Sequence, residues 1–164
     1  MTAYVRNLEK LTTAVPANEN LTHVVAEIND EAAMESAIKG QDAVLVALGG
    51  KGLLARDTTC SVGTRAIIAA MNKTGVKRML AISSYGVGPG NRSLISWAVR
   101  AMLYHPLADK DEQEADIEKS GLDYTIIRPP RLMDAPARGD LFSTIAGTLP
   151  HMEIARADVA AFML

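Results

Sequence analysis

Apolar and polar positions along this chain fall into alternating blocks, each of the length of one structural element. Residues 2–5 (TAYV) have the β-branched and aromatic character of a strand and stop at Arg6-Asn7, followed by a lysine-bearing turn. Residues 22–26 (THVVA) predict a second short strand. Asp30 can cap a helix from Glu31 to about Ile38, with Gly40 just beyond its end. Residues 43–48 (AVLVAL) are continuously apolar, as expected of a strand covered on both faces, and they stop at Gly49-Gly50. Asp57 stands as the cap of the long segment TTCSVGTRAIIAAMNKTG, which closes at Gly75. Residues 78–82 (RMLAI) predict the next strand, ending in Ser83-Ser84-Tyr85-Gly86. Residues 93–103 form an amphipathic piece holding Trp97, and residues 108–120 a charged helix stopped by Gly121. Residues 123–127 (DYTII) predict a further strand that breaks at Arg128-Pro129-Pro130. Residues 136–149 are irregular, and residues 157–164 begin a helix with Asp158 in its first turn, where a carboxylate suits the helix dipole.

Strands of buried type alternating with helices predict an α/β fold. The expected form is a doubly wound parallel sheet with right-handed crossovers, in one domain over residues 1–164. Ligands of such sheets bind beyond the carboxyl ends of the strands. Those ends are Arg6-Asn7, Gly49-Gly50, Ser83-Ser84-Tyr85-Gly86 and Arg128-Pro129-Pro130, so glycine, hydroxyl and cation collect at one edge.

Composition narrows the functional classes. With 48% apolar and 22% charged residues and a net charge of −2, the chain has no basic footprint for nucleic acid. The single Cys60 excludes an internal disulfide and fits a reducing compartment. No apolar run approaches a membrane span and no basic-then-apolar leader opens the chain, so the cytoplasm is the expected location and no membrane partner is expected. His23, His105 and His151 are scattered without metal-ligand spacing. Cys60 reads as a small packing residue within a helix, and residues 110–119 as a wet helix face.

At the strand tips, chemistry and plain structure compete for the same residues. An arginine at the second strand tip of a dinucleotide fold suits the 2′-phosphate of NADP, because its guanidinium forks onto phosphate oxygens. Arg6 fits that role and Lys10, a helical turn on, can add charge, although Arg6 taken alone reads more simply as a solvated cation at a strand end. Gly49-Gly50 admits a ligand close to the backbone or simply turns. Gly63 permits tight helix–sheet packing and carries no chemistry. The Ser83-Ser84 hydroxyls can hold a carboxamide, pass a proton, or cap the loop backbone. Arg128-Pro129-Pro130-Arg131 makes a rigid, donor-poor wall that can brace a flat ring or end a strand. Trp97 with Leu94, Ile95 and Met102 makes an apolar face for core or for cover. A Tyr-x-x-x-Lys acid–base dyad is absent, since Pro89, Ala108 and Arg128 stand four residues after Tyr85, Tyr104 and Tyr124.

Taken in order, the runs VRNLEKL, HVV, AIKGQDAVLVALGG, GTRAIIAAMNKTGVKRMLAISSYGVG, KSGLDYTIIRPPRLMDAPARG and ARADVAAFML resemble the atypical short-chain dehydrogenase/reductase group. The resemblance is to its NAD(P)H-binding members similar to flavin reductase (the B-type biliverdin reductase) and to NmrA-like proteins. It implies a Rossmann-like fold that binds NADP(H). By position, Arg6 matches the arginine that receives the 2′-phosphate, and Leu48-Gly49-Gly50 matches the strand tip lining the cofactor. Ser84 matches the serine near nicotinamide and acceptor, and Pro129-Pro130 the ring-bracing dipeptide. Lys110 stands where related proteins often carry a polar site residue. The implied site has Ser84 and Lys110 in catalytic roles, with Arg6, Lys10, Leu48, Gly49, Gly50, Ser83, Pro129 and Pro130 around the cofactor.

The sequence departs from the family's pattern in two ways. Ala26-Glu27-Ile28-Asn29-Asp30 replaces a Gly-Asp pair near the adenine, and no strand, glycine-rich loop and helix precede Thr2. The expectation is a partial Rossmann-like fold lacking the first strand and helix and the C-terminal end. In the usual order that first strand is central, so residues 2–5 and 43–48 lose a shared neighbour. The expected function is an NADP(H)-dependent oxidoreductase passing hydride to a small flat acceptor such as a flavin or quinone, which depends on holding two rings in contact. The alternatives are a non-catalytic NADP(H) sensor and an inactive fragment of such a reductase, with oligomerisation left open.

Overall fold

The computed structural model describes residues 1–50, 52, 57–88, 104–145 and 149–164. The amphipathic piece expected at residues 93–103, with Trp97, lies outside them. In chain order the elements are β1 (Thr2–Val5), α1 (Leu8–Ala14), β2 (Thr22–Val25), α2 (Glu31–Ile38), β3 (Ala43–Val46), α3 (Thr59–Thr74) and β4 (Arg78–Ile82). They are followed by α4 (Tyr104–Glu118), β5 (Asp123–Ile127), β6 (Arg131–Met133), β7 (Glu153–Ala155) and α5 (Arg156–Met163). Every strand pairing among them is parallel.

The predicted single sheet is divided. β1 pairs with β2, β3–β4–β5 form a second group, and β6 pairs with β7. The break between β1 and β3 falls where the usual order has a further strand. Registers run Thr2↔Thr22, Val46↔Ala81 and Ile82↔Ile127. β3 is shorter than its apolar run: Ala47 and Leu48 leave the ladder, which frees the Leu48 carbonyl for other donors.

One face of β3–β4 carries the core. Val46, Met79 and Ala81 point to it by strand alternation and meet Met34 and Ile38 of α2, Ile67, Ala70 and Met71 of α3, and Ile117 of α4. Each fully buried side chain of this size contributes about 1.5–3 kcal/mol. Leu45 points the other way and is 44% exposed. Surface pairs tie the helices laterally, with Arg65 of α3 against Glu112 and Asp116 of α4, and Lys73 against Glu31 and Glu35 of α2. Exposed pairs of this kind contribute little singly.

Local chemistry explains the element ends. Asn7 starts α1 two residues after β1 by accepting from the Lys10 N–H at 3.0 Å, and Asp30 does the same for α2 from Ala33. Asp57 sits one position earlier than a cap, with Thr58 in the cap position, and accepts from the Thr59 N–H at 2.8 Å. Gly75 ends α3 at φ +80°. β6 and β7, at three residues each, are too short to carry a readable alternation. Among the described residues no helix is long and apolar enough to cross a membrane.

Gly63 is dictated by packing. A Cβ there would lie 2.7 Å from Leu48 Cδ1 and 2.9 Å from Ile28 Cγ1, so α3 rides directly on the segments leaving β2 and β3. This closeness also brings the carboxyl ends of those two strands to the same side of the molecule.

The C-terminal part is held by Asp158. Its carboxylate, buried in the first turn of α5, accepts from the Arg138 N–H at 3.0 Å and the Gly139 N–H at 3.1 Å. Those two backbone donors, chiefly, hold its pKa below the ordinary carboxylate value.

Two stability predictions follow from these contacts. Gly63→Ala should lower unfolding free energy by about 1 kcal/mol in urea melts, since overpacking at about 1–3 kcal/mol exceeds the roughly 1 kcal/mol helix-propensity gain. A more stable variant would contradict the packing. For Asp158, a depressed folded-state pKa means that the stabilisation is present above the unfolded value, about 3.9, and is lost as pH falls through the folded one. Asp158→Asn should therefore melt lower at pH 7 and show a flatter loss of stability below about pH 4. Parallel acid melts of the two proteins would contradict this.

Candidate functional site

The carboxyl ends of β3, β4 and β5 are gathered by one stripe of α4. Asp109, Lys110, Gln113 and Glu114 lie at helical spacing between Leu107 and Ile117 and face inward with them. Asp109 caps α3 from outside, accepting from the Cys60 N–H at 2.8 Å and the Ser61 N–H at 2.9 Å. Lys110 Nζ donates to the Leu48 carbonyl at 3.0 Å, the Ile82 carbonyl at 2.8 Å and Gln113 Oε1 at 2.9 Å. Gln113 Nε2 in turn donates to Thr64 Oγ1 at 2.9 Å. Glu114 accepts a fork from Arg128, Nε at 2.9 Å and Nη2 at 2.7 Å, and this bond raises the guanidinium pKa above its ordinary value. The wet face expected over residues 110–119 is therefore only half of the helix. Glu112 is exposed and Asp116 half-buried beside Arg65, whereas Gln113 and Glu114 are buried and bonded to the side chains of Lys110, Thr64 and Arg128.

Past the end of β4 the ladder with β5 continues. The Ser83 N–H donates to the Ile127 carbonyl at 2.7 Å and the Tyr85 N–H to the Pro129 carbonyl at 2.8 Å. Ser83-Ser84 is thereby laid beside Pro129-Pro130. Gly88 completes the corner at φ +77°. A Cβ there would lie 2.7 Å from Arg128 Nη2, so the guanidinium packs on bare backbone.

The two hydroxyls differ. Met79, Ala81 and Ser83 alternate onto the same face of β4, and Ser83 is 6% exposed. Its Oγ is the one buried side-chain polar atom without a hydrogen-bond partner among the described residues. Leaving such a group unpaired costs about 1–3 kcal/mol. Ser84 Oγ makes one long bond, 3.4 Å, to the Tyr85 carbonyl. The backbone-capping role weighed for these serines is thus slight at Ser84 and absent at Ser83.

Gly49 and Gly50 are exposed, and nothing among the described residues lies within 4 Å of a Cβ built on Gly49. Among the described residues, packing does not demand a glycine at position 49. Pro129 is buried and Pro130 half-buried. Arg6 and Lys10 stand on the β1–α1 junction, and neither side chain has a hydrogen bond or ion pair among the described residues. Leu48, Lys110, Ser83, Ser84, Pro129 and Pro130 come together, therefore, while Arg6 and Lys10 flank them on the other sheet.

No strong acid is added by the neighbours. Burial pushes the Cys60 thiol up to about 11, against a smaller lowering by Lys110, so it is a protonated packing residue as expected. Among the described residues no three metal-ligating side chains form a cluster. A groove of about 580 Å³ runs along β5, closed by Phe142, Ile145, Leu149 and Phe162. It shares Pro129 and Pro130 with the strand-tip edge but follows the side of the strand, and neither Ser83 nor Lys110 lines it.

Comparison with known proteins agrees with this geometry. The protein family described as NAD(P)H-binding matches residues 1–164. A Bacillus subtilis (strain 168) protein named as an uncharacterized sugar epimerase is 33% identical over 128 residues, covering 76% of this chain and 56% of its own. The chain spans 59% and 56% of the lengths of the curated relatives it matches. The anaerobilin reductase of Escherichia coli O157:H7 superposes with a TM-score of 0.76 at 25% identity, over 99% of this chain and 75% of its own. A short-chain dehydrogenase/reductase of Veillonella parvula, solved with NADP, superposes at 0.78 over 99% and 72% of the two chains with 20% identity, a likeness of fold. With a parallel α/β architecture, a polar edge at the strand tips and a family match over its whole length, this chain belongs to the NAD(P)H-binding family of Rossmann-fold proteins.

Proposed function

We propose that this chain carries the NADP(H) site of a reductase that passes hydride to a small flat acceptor such as a flavin or a quinone. The observation that carries this reading is the buried Ser83 hydroxyl, without a partner among the described residues, at the strand tips that also carry Gly49 and the Pro129-Pro130 wall. Such a hydroxyl fits a ligand group that brings its own donor and acceptor, such as a carboxamide or a ribose hydroxyl.

When bound, NADP(H) supplies the hydride. The chain's residues supply position. Arg6 selects the 2′-phosphate by its guanidinium fork, with Lys10 one turn along the helix adding charge. Gly49 and Gly50 let the cofactor lie against backbone, Ser83 holds its polar group, and Pro130 braces a ring. Ser84, bound only loosely to the Tyr85 carbonyl, turns toward the acceptor. The Lys110 donors are all engaged and Cys60 is a protonated thiol, so this edge offers alignment in place of a strong acid. Alignment suits an acceptor that takes its accompanying proton from water. The family match and the likeness to a reductase at 25% identity support this reading.

Fluorescence titration with NADPH and NADH, followed by turnover on a panel of flavins and quinones, tests it. The protein should prefer NADPH, and Arg6→Glu should weaken NADPH at least tenfold more than NADH, the equivalent of about 1.4 kcal/mol. Ser83→Ala should weaken both dinucleotides by a similar factor, since it removes a contact common to the two. Binding of neither dinucleotide would sink the proposal, and tight binding with no turnover on any acceptor would make the protein a sensor.

A further inference from the structure

The geometry points to Lys110 as a positioning residue that sets the spacing of the β3 and β4 tips, between which the proposed cofactor slot would lie, and not as a proton donor. The inference rests on the reductase reading above only for what fills the slot.

Lys110 clamps the residue immediately before each of the two turns that border the slot. Leu48 precedes Gly49, and Ile82 precedes Ser83; their carbonyls receive two of the three ammonium hydrogens at 3.0 and 2.8 Å. The third goes to Gln113 Oε1 at 2.9 Å. An ammonium has three donors and no acceptor, so nothing is left over for a substrate.

The clamp stands where the sheet ceases to hold itself together. Between β4 and β5 the bonding continues beyond the strands, through Ser83–Ile127 and Tyr85–Pro129. Between β3 and β4 the ladder pairs end at Val46↔Ala81, and Leu48 lies two residues farther on. From there, among the described residues, the Lys110 ammonium ties the tips of β3 and β4. Charge-assisted bonds to carbonyls out of bulk water are short and strong, which suits a single tie. Gln113 has no exposed surface and is itself fixed to Thr64 of α3, so the anchor cannot swing. The neighbouring charges on α4 are engaged elsewhere, Asp109 at the start of α3 and Glu114 with Arg128.

Amide hydrogen exchange on the ligand-free protein, paired with NADPH titration, decides the matter. In Lys110→Met the amides of residues 47–50 and 82–86 should exchange at least tenfold faster, while those of α2 keep their rates. NADPH affinity should fall about tenfold, and turnover should keep the shape of its pH profile. Lys110→Arg, which retains donors, should recover most of the protection. Gln113→Leu removes one tie and leaves the ammonium, and it should show a smaller rise at the same two turns; it also serves if Lys110→Met does not fold. Unchanged exchange at both turns in these variants overturns the clamp. Turnover lost together with the alkaline limb of the profile, at unchanged NADPH affinity, would make Lys110 the proton donor instead. If the wild-type protein binds no NADPH, the functional reading fails and the exchange data still decide the clamp.

Discussion

The strand-tip edge depends on one constraint: polar groups left over at the ends of strands and helices must be satisfied without water. The carbonyls of Leu48 and Ile82, past the last β3–β4 pair, and the first N–H groups of α3 need partners from outside their own elements. The inward stripe of α4 answers all of them, a carboxylate for the N–H groups and an ammonium for the carbonyls. Burying those charges is costly, and it is tolerable because each is fully bonded. The same arrangement draws three strand tips and a helix start to one place. What it leaves unpaired among the described residues is the Ser83 hydroxyl, at the edge where ligands of parallel sheets bind.

Most elements were legible in the chain, and the reasons differ. The apolar runs at 43–48 and 78–82 announced strands, although Leu45, 44% exposed, shows the first is not covered on both faces as its continuous apolar run suggested, and Gly75 and Gly121 marked helix ends through their left-handed backbone. Parallel pairing followed from the alternation. α1 was read only as a turn, because seven residues with no buried side chain leave no apolar stripe to see. The gap between β1 and β3 was expected from the sequence, whereas the separate β6–β7 pair was not, since strands of three residues carry no readable alternation.

Site chemistry was less legible, since the same letter serves buried and exposed roles. Asp109, Gln113 and Glu114 look like neighbours of Glu112 and Asp116 until the positions of Leu107 and Ile117 are used to choose the inner face. Ser83 and Ser84 are equivalent in sequence, and only the continued alternation from Met79 and Ala81 separates the buried hydroxyl from the loose one. Lys110 stands at the carboxyl ends of the strands, yet its hydrogens go to the Leu48 and Ile82 carbonyls and Gln113.

Among the described residues, the strand-tip edge and the apolar groove of about 580 Å³ along β5 compete for a dinucleotide. Chemistry favours the edge, where the Ser83 hydroxyl without a described partner, the Gly49 backbone and a rigid proline pair meet. Backbone NMR shift mapping during an NADPH titration separates them directly. The account predicts shifts at residues 6–10, 48–50 and 83–86 with Phe142, Ile145 and Phe162 unmoved. Shifts confined to those groove residues, with the strand tips silent, would contradict it.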